Sequence, residues 1–389
     1  MWSIGIQREL SRNLSLDVAY VGNRGVWWNS NGVLTDPNRL TPAILAQHSL
    51  SLSNGDDLKL LVAPLRSVSA AETTAHNLKI PFGTFPALGT VSQSLRPYPQ
   101  FGGIYVLWAP LGDTWYDSLQ VKLTKRFSHG LDFTMAYSWQ KELTVGAETF
   151  DPAFAPVAPA VNDLNSYLSN KTISGLSVPH RLVIAANYTI PKLNVNRLLS
   201  QAIRDWQFGA VLTYQSGAPI HVPYAQNNIG QQLSLCAPMD VYGNCNGGPL
   251  GTTSNMNRVP GQPLFTTDLN SKFNPYTQFV LNPNAWSNPA AGTFGTTAAY
   301  LNDYRYRRQQ NENISLARIF RVKEGMSLSI RMELMNAFNR VRIPNPSATN
   351  SLTPQVKAGN GNTQSGFGYI NPIPAAGQRT GQLVARFQF

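Results

Sequence analysis

The sequence lacks several features that mark common protein classes. No run of about 18 apolar residues occurs in its 389 residues, which excludes a transmembrane helix. Charged residues make up only 13% of the chain, about half the share found in ordinary soluble domains. The N-terminal segment has no basic stretch followed by an apolar one, so it does not read as a signal peptide. Low charge without a membrane helix leaves two classes, a membrane β-barrel and a secreted all-β protein.

Residues suited to catalysis or metal binding are also scarce. Cys236 and Cys245 are the only cysteines, and they lie nine positions apart in a polar segment. We expect a small disulfide loop in an oxidising compartment, with two unrelated free thiols as the alternative. The five histidines are dispersed without metal-ligand spacing, and no nucleophile motif is present. The sequence therefore predicts neither an enzyme nor a bound cofactor.

The net charge of +11 arises from scattered lysines and arginines near strand ends and turns. The densest group is the Arg-Tyr-Arg-Arg segment Arg305–Arg308. Nucleic-acid binding needs a basic patch on one face, so we do not expect a nucleic acid as partner. Basic residues at the rim of a barrel meet anionic headgroups instead, which predicts outer-membrane lipid and lipopolysaccharide as partners.

The C-terminal segment alternates between apolar and polar residues. One face of the extended strand carries Leu383, Ala385, Phe387 and Phe389. The opposite face is mostly polar and includes Arg386. A soluble protein gains little from an exposed aromatic edge strand, which invites aggregation. In an outer-membrane barrel the same strand belongs to the wall, with one face in lipid and the other toward the lumen.

The same alternation recurs along the chain and predicts about nine strands, joined alternately by short turns and long loops. The long loops fall at about residues 23–113, 142–179, 216–309 and 340–376. Membrane barrels have short periplasmic turns and long extracellular loops. The predicted fold is therefore all-β, a partial antiparallel up-and-down transmembrane β-barrel. Its polar face should line the lumen with residues that include Gln120, Lys122, Arg331, Glu333 and Arg386.

The strand number and the missing signal peptide both indicate an incomplete barrel. Single-chain bacterial barrels have even numbers of strands. An open sheet would also leave two unpaired edges in lipid, where each unsatisfied backbone group is costly. We therefore expect the sequence to be the C-terminal piece of a longer protein of the bacterial outer membrane.

The strand segments occur in a recognisable series: Ser3–Leu10, Leu16–Gly25, Tyr116–Phe127, Pro179–Val183, Trp206–Pro219, Met332–Asn339 and Ala385–Phe389. Their order and spacing resemble the C-terminal barrel of TonB-dependent outer-membrane receptors of the Oar-like group. That group carries a carboxypeptidase-regulatory-like domain before the plug. The resemblance implies a parent barrel of about 22 strands around a plug. The plug and the N-terminal domains are absent from residues 1–389. TonB is thus expected as a partner only through the missing N-terminal part.

The resemblance also implies a transport or receptor function, in which extracellular loops contact an unknown extracellular ligand. The terminal strand, through Leu383, Ala385, Phe387 and Phe389, looks like the signal read by the barrel-assembly machinery. An amphipathic edge strand can be captured by β-augmentation. Two alternatives stay open. One is a porin-like passive channel or surface adhesin, and the other is a secreted all-β binding protein.

Overall fold

One large antiparallel sheet dominates the computed structural model. The model describes residues 1–29, 36–101, 104, 109–145, 162–163, 166–191, 200, 203–233, 254–341, 343–371 and 377–389. Its nine principal strands pair with their neighbours in chain order, and one short additional strand pairs with the fourth of them. Their bounds are β1 (Trp2–Ser11), β2 (Leu14–Asn29), β3 (Pro110–Ser128), β4 (Leu131–Val145), β5 (Thr172–Ile173), β6 (His180–Thr189), β7 (Trp206–Gln215), β12 (Gln309–Lys323), β13 (Met326–Met335) and β16 (Thr380–Gln388).

This topology confirms the predicted all-β, antiparallel, up-and-down arrangement. Each principal strand is hydrogen-bonded to the strands before and after it in this series. Within the described residues, β1 pairs only with β2 and β16 pairs only with β13, so the sheet is open. The prediction that this sheet is one part of a larger barrel wall stays a prediction.

The long connections contain smaller elements. Short strands are β8 (Pro219–His221), β9 (Asn257–Arg258), β10 (Trp286–Ser287), β11 (Tyr300–Arg305), β14 (Val356–Lys357) and β15 (Thr363–Ser365). The α-helices are Pro42–Gln47, Gly55–Val62, Ala70–Ala75, Val91–Ser94 and Ile229–Gln232, and 3₁₀ turns occupy Leu65–Ser67, Leu168–Asn170 and Pro283–Ala285. Among the described residues, no helix is long and apolar enough to cross a membrane.

Tight turns join strands at one end of the sheet. Residues 12–13, 129–130 and 324–325 connect β1 to β2, β3 to β4 and β12 to β13. His129 and Gly130 both have positive φ, 54° and 82°, which matches the right-handed twist of a two-residue hairpin. A Cβ on Gly130 would come within 2.2 Å of the Thr189 carbonyl oxygen, so this turn requires glycine. The long connections consequently emerge at the opposite end, as the sequence predicts.

The first long connection is shorter than predicted, because β2 and β3 extend further than their alternation indicates. The sequence places the loop at about 23–113, but β2 continues to Asn29 and β3 begins at Pro110. Two register shifts interrupt the extension, and Trp27 adopts a positive φ of 62° there. Such bulges disturb the period-2 pattern without ending the pairing. The ion pair of Arg24 with Asp117, at 3.2 Å, ties the two strands together in this region.

The apolar face of the wall is uncovered. Ile4 and Ile6 on β1 are 71% and 74% exposed, and Leu383 on β16 is 74% exposed. In the middle of the sheet the cross-strand register aligns apolar residues in rows, for example Leu316, Met332 and Leu383 on β12, β13 and β16. No residue of the clustered hydrophobic cores comes from these rows. A surface of this extent requires an apolar solvent or partner, and the bilayer supplies one.

The buried cores lie instead in the long connections. One cluster joins the first connection to the helix at Ile229–Gln232, and it contains Leu40, Leu45, Leu50, Leu60, Leu61, Leu65, Leu78, Phe85, Val91, Leu95, Ile229 and Leu233. A second cluster joins the β7–β12 connection to the β13–β16 connection, and it contains Ile220, Val222, Met256, Leu264, Leu269, Val280, Leu281, Ala285, Trp286, Tyr304, Ala348, Phe367 and Ile370. The connections therefore form a packed cap over one end of the sheet.

We predict that Val121→Arg destabilises the membrane-embedded barrel by about 2–4 kcal/mol, the cost of a cation facing lipid near the bilayer midplane. Val121 pairs with Val18 and Tyr137 in the apolar rows. The neighbouring Lys122→Gln, on the polar face, serves as control and should change stability much less. The measurement is the folded yield in lipid bilayers during urea titration. Equal damage at both positions would contradict the assigned faces.

Candidate functional site

The polar face of the sheet carries the residues that the sequence assigns to the lumen. Lys122 lies directly opposite Asp17 on β2, and Gln120 lies opposite Ser138 on β4. Directly opposed unlike charges on neighbouring strands attract each other. The structure therefore places both predicted residues in cross-strand polar pairs, and their orientation toward a lumen stays a prediction.

The other three predicted lumen residues lie on β13 and β16. Arg331 forms an ion pair of 2.9 Å with Glu333 and donates to the Ser315 hydroxyl at 3.4 Å. Glu333 also accepts a hydrogen bond from Gln382, while Arg386 lies opposite Ser329. Arg331 and Glu333 are thus paired with each other and bonded to both flanking strands. This ladder links three strands of the wall across the polar face.

The other predicted site residues are the two cysteines of the expected disulfide and the four residues of the expected barrel-assembly signal. Cys236 and Cys245 lie outside the described residues, so the disulfide stays a prediction. Leu383, Ala385 and Phe387 are exposed on β16, Phe389 is exposed directly after it, and the Phe387 and Phe389 rings lie 6.2 Å apart. Recognition of this strand by the barrel-assembly machinery stays a prediction.

Hydrogen bonds hold β11 of the cap against the segments that border β6 and β7. Arg305, at the end of β11, donates to the carbonyl oxygens of Ser177 at 2.7 Å and Gly217 at 3.2 Å. Burial lowers the pKa of Arg305, but a guanidinium remains charged at neutral pH. A Cβ on Gly217 would meet the Tyr306 carbonyl oxygen at 1.8 Å, so the chain needs glycine where these two segments cross. The cap therefore has a defined position above β7 and β12.

Two adjacent depressions lie where the cap meets the wall, and Leu269, Tyr306 and Arg308 line both. The first, of about 460 Å³, is also bordered by Asp268 and Arg305. The second, of about 470 Å³, combines apolar and cationic groups, and its lining includes Phe273, Arg307, Phe338, Arg340, Val341 and Ile343. Such a mixture of apolar walls and a few charged groups is typical of ligand sites.

The second depression, which we call the arginine pocket, concentrates positive charge. Burial lowers the pKa of Arg307, and the nearby guanidinium groups of Arg308 and Arg340 lower it further. All three arginines line this depression, so their positive charges are gathered in one place. Asp268 counteracts part of this effect. An anion entering the pocket would relieve the repulsion.

Arg340 is held by a carboxylate that extends from the wall. Its Nε donates to both carboxylate oxygens of Glu312, at 2.7 and 2.9 Å. The Glu312 side chain is fully buried, whereas that of Arg340 is 43% exposed. Glu312 pairs with Leu212 and is two residues from Ile314, so it continues the apolar face of the sheet. The pair therefore lies on the face of the sheet that carries the apolar rows, at the end of the wall that carries the cap.

Comparison with known protein families shows which family the chain belongs to. The family model described as outer membrane beta barrel domain matches residues 1–382. The chain belongs to this family. Membership confirms the outer-membrane barrel that the sequence resembles, and it places the protein in the bacterial outer membrane. No curated protein matches the chain.

Solved structures of outer-membrane proteins also align with this barrel-domain chain. The outer membrane transporter YddB from Escherichia coli aligns at 9% identity with a TM-score of 0.38 over all of this chain and 32% of its own. FpvA from P. aeruginosa, bound to heterologous pyoverdines, aligns at 8% identity with a TM-score of 0.32 over all of this chain and 32% of its own. The structure of the FpvAI–pyocin S2 complex aligns at 9% identity with a TM-score of 0.33, over all of this chain and 27% of its own. The barrel-domain chain thus spans about a third of the structures it matches.

Sequence reasoning missed the arginine pocket as a site. It identified Arg305–Arg308 as the densest basic group, but it could not place Arg340 beside that group across more than thirty residues. One signal was available. Glu312 lies on the same face of β12 as Ile314 and Leu316, directly before these apolar residues. A carboxylate on a lipid-facing row needs a cationic partner, and Arg340 is that partner.

Three of the histidines, which are dispersed in the sequence, contact backbone carbonyl or tyrosine hydroxyl groups. His48 Nδ1 lies 2.9 Å from the His76 carbonyl oxygen, and His76 Nδ1 lies 2.9 Å from the His48 carbonyl oxygen. His180 Nδ1 lies 2.8 Å from the Tyr137 hydroxyl. In the part of the chain that the structure describes, no three His, Cys, Asp or Glu residues are grouped to hold a metal. The expectation that the protein is not an enzyme stays a prediction.

We predict that Arg340→Ala destabilises the cap by about 3 kcal/mol, because it leaves the buried Glu312 carboxylate without its cation. The paired replacement Glu312→Leu with Arg340→Met should recover most of that loss, since apolar residues can replace a buried ion pair. Thermal unfolding of the protein in detergent measures both changes. A double variant as unstable as the sum of its two single variants would contradict this coupling.

Proposed function

We propose that the chain forms the C-terminal wall and the ligand-contacting extracellular cap of a TonB-dependent outer-membrane transporter or receptor. The observation that carries the proposal is the combination of an uncovered apolar wall with a packed cap at one end of it. A wall with a lipid-facing surface suits passage across a membrane. A cap with its own cores can present a shaped surface to ligands outside the cell.

The size of the cap favours a receptor over a simple pore. The β7–β12 connection alone spans residues 216–308 and shares a core with the β13–β16 connection. Loops of this length with their own packed cores are usually functional rather than passive. The resemblance of the strand segments to Oar-like receptors points in the same direction. TonB would engage the parent protein through the plug and coupling segment, not through this region.

A porin-like channel or adhesin is the second candidate. It is favoured by the polar face, where charged residues such as Lys122 and Arg331 would line water if no plug were present. The two candidates differ in whether the lumen is obstructed. They also differ in whether the protein binds TonB, because only a receptor draws on that energy source. The secreted all-β alternative is set aside, since the family is an outer-membrane one.

The test uses the full-length parent protein, isolated from outer membranes and reconstituted in liposomes. A plugged receptor should leave liposomes intact in isotonic arabinose, and it should bind the periplasmic domain of TonB in a pull-down. A passive pore should admit arabinose, so that the liposomes swell, and should not retain TonB. Swelling together with absent TonB binding would overturn the receptor proposal. A known porin and protein-free liposomes serve as controls.

A further inference from the structure

A tryptophan ring lies against the wall at the cap end of β2. A Cβ on Gly25 would come within 2.0 Å of the Trp28 indole nitrogen, so the ring occupies the space that a side chain at position 25 would fill. Trp28 is nevertheless 56% exposed, so more than half of its surface is accessible to a ligand. The glycine is required here, because any larger residue would displace the indole. We call the exposed ring, supported by Gly25, the Trp28 platform.

A bulge in β2 brings Trp28 to the polar face of the sheet. Gly25 pairs with Thr114, which lies on the same face of β3 as Lys122, and a Cβ on Gly25 would point toward the Thr114 hydroxyl. In a regular strand, residues 25 and 28 would lie on opposite faces. The register shifts between them, and Trp27 has a positive φ of 62°. Bulges re-aim side chains next to functional sites, and a strained non-glycine residue is typical of such positions.

Hydroxyl and amide groups surround the platform. The cross-strand rows on the polar face place Thr114 beside Thr144, and Asn23 beside Tyr116. The Tyr116 hydroxyl donates to the Gln140 side-chain oxygen at 2.7 Å. Hydroxyl groups and side-chain amides can both donate and accept hydrogen bonds. A ligand for this arrangement has an apolar face for the ring and hydroxyl groups at its edge.

The charges near the platform favour a neutral ligand. Among the described residues of the two rows that contain Gly25 and Asn23, Glu142 is the only charged side chain, and it is hydrogen-bonded to Ser174. Arg24 follows Asn23 in the chain but lies on the opposite face. An acidic ligand would therefore meet a carboxylate without a cation to offset it. The net charge of +11 disfavours a cationic ligand as well.

We propose that the Trp28 platform binds one sugar ring of a neutral oligosaccharide. The C–H groups on the face of a pyranose carry partial positive charge and pack against the negative face of the indole. Thr114 and Asn23 form hydrogen bonds with the hydroxyl groups at the edge of the sugar ring. The site rests on the proposed function, because that function places the cap end of the wall outside the cell. It names the class of ligand that such a receptor takes.

The experiment titrates oligosaccharides into the full-length parent protein in lipid nanodiscs and measures affinity by calorimetry. The probes are neutral hexasaccharides of α-glucan, β-glucan, β-mannan, β-xylan and chitin, with hexagalacturonate as the acidic counterpart. Trp28→Ala removes the platform, and Gly25→Ala displaces the ring without removing it. Trp2→Ala is the matched control, because the Trp2 ring also lies over a glycine of β2, Gly22, but on the opposite face. If Trp28→Ala fails to fold, Thr114→Val decides.

We expect the wild type to bind at least one neutral hexasaccharide. The affinity for it should fall about tenfold in Trp28→Ala, because the stacking contact is lost. Gly25→Ala should also weaken binding, and Thr114→Val should weaken it about threefold through the loss of one hydrogen bond. Trp2→Ala should bind as the wild type does, and hexagalacturonate should not bind.

The proposal would be overturned if the wild type bound none of the neutral hexasaccharides, or if it preferred hexagalacturonate. Equal weakening by Trp28→Ala and Trp2→Ala would also overturn it, since the effect would then not belong to the polar face. A TonB pull-down on the same preparations separates the two proposals. Retained TonB binding without sugar binding refutes the Trp28 platform alone, whereas sugar binding that depends on Trp28 without TonB binding refutes the receptor function alone.

Discussion

Contact between the apolar face of the strands and hydrocarbon is the constraint on which the rest of this structure depends. Residues such as Ile6 and Leu383 would occupy the core of a soluble protein, yet here they are about three-quarters exposed. At about 25 cal/mol per Å² of apolar surface, leaving a whole sheet face in water would cost more than a domain can offset. In lipid the same face costs nothing, and every strand can hydrogen-bond to two neighbours. Among the described residues, β1 and β16 each pair with one neighbouring strand, and the seven strands between them pair on both sides.

The wall is a single sheet without a core, so the clustered buried apolar residues lie in the connections. The first connection packs against the helix at Ile229–Gln232, and the last two long connections share the core around Met256 and Phe367. The cap has buried apolar cores of its own, so its stability follows the rules of a soluble domain. Arg305 and the Glu312–Arg340 pair join the two regions, one through backbone carbonyls and the other through a buried carboxylate. The functional surface is positioned by these few polar contacts where the two solvents meet.

The wall could be predicted from sequence because one rule governs it. A strand between lipid and a polar space alternates with period 2, and residues such as Leu328, Ile330 and Met332 show that period directly. The extension of β2 was missed because a bulge near Trp27 breaks the alternation while the pairing continues. The cap cores were missed because they join residues far apart in sequence, and because helices of four to eight residues carry little signal. Arg340 was missed for the same reason, since it lies in a connection and its partner Glu312 lies on β12, 28 residues earlier.

The most direct test of the account measures which solvent each face contacts. Spin labels placed singly at positions 329 to 332 of β13, in a protein whose Cys236 and Cys245 are replaced by serine, report collisions with oxygen from the bilayer and with a water-soluble nickel chelate. The account predicts alternation, with labels at Ile330 and Met332 reached mainly by oxygen and labels at Ser329 and Arg331 reached mainly by the chelate. Labels at Ile330 and Met332 that are shielded from both reagents would show a protein core on that face and would contradict the account.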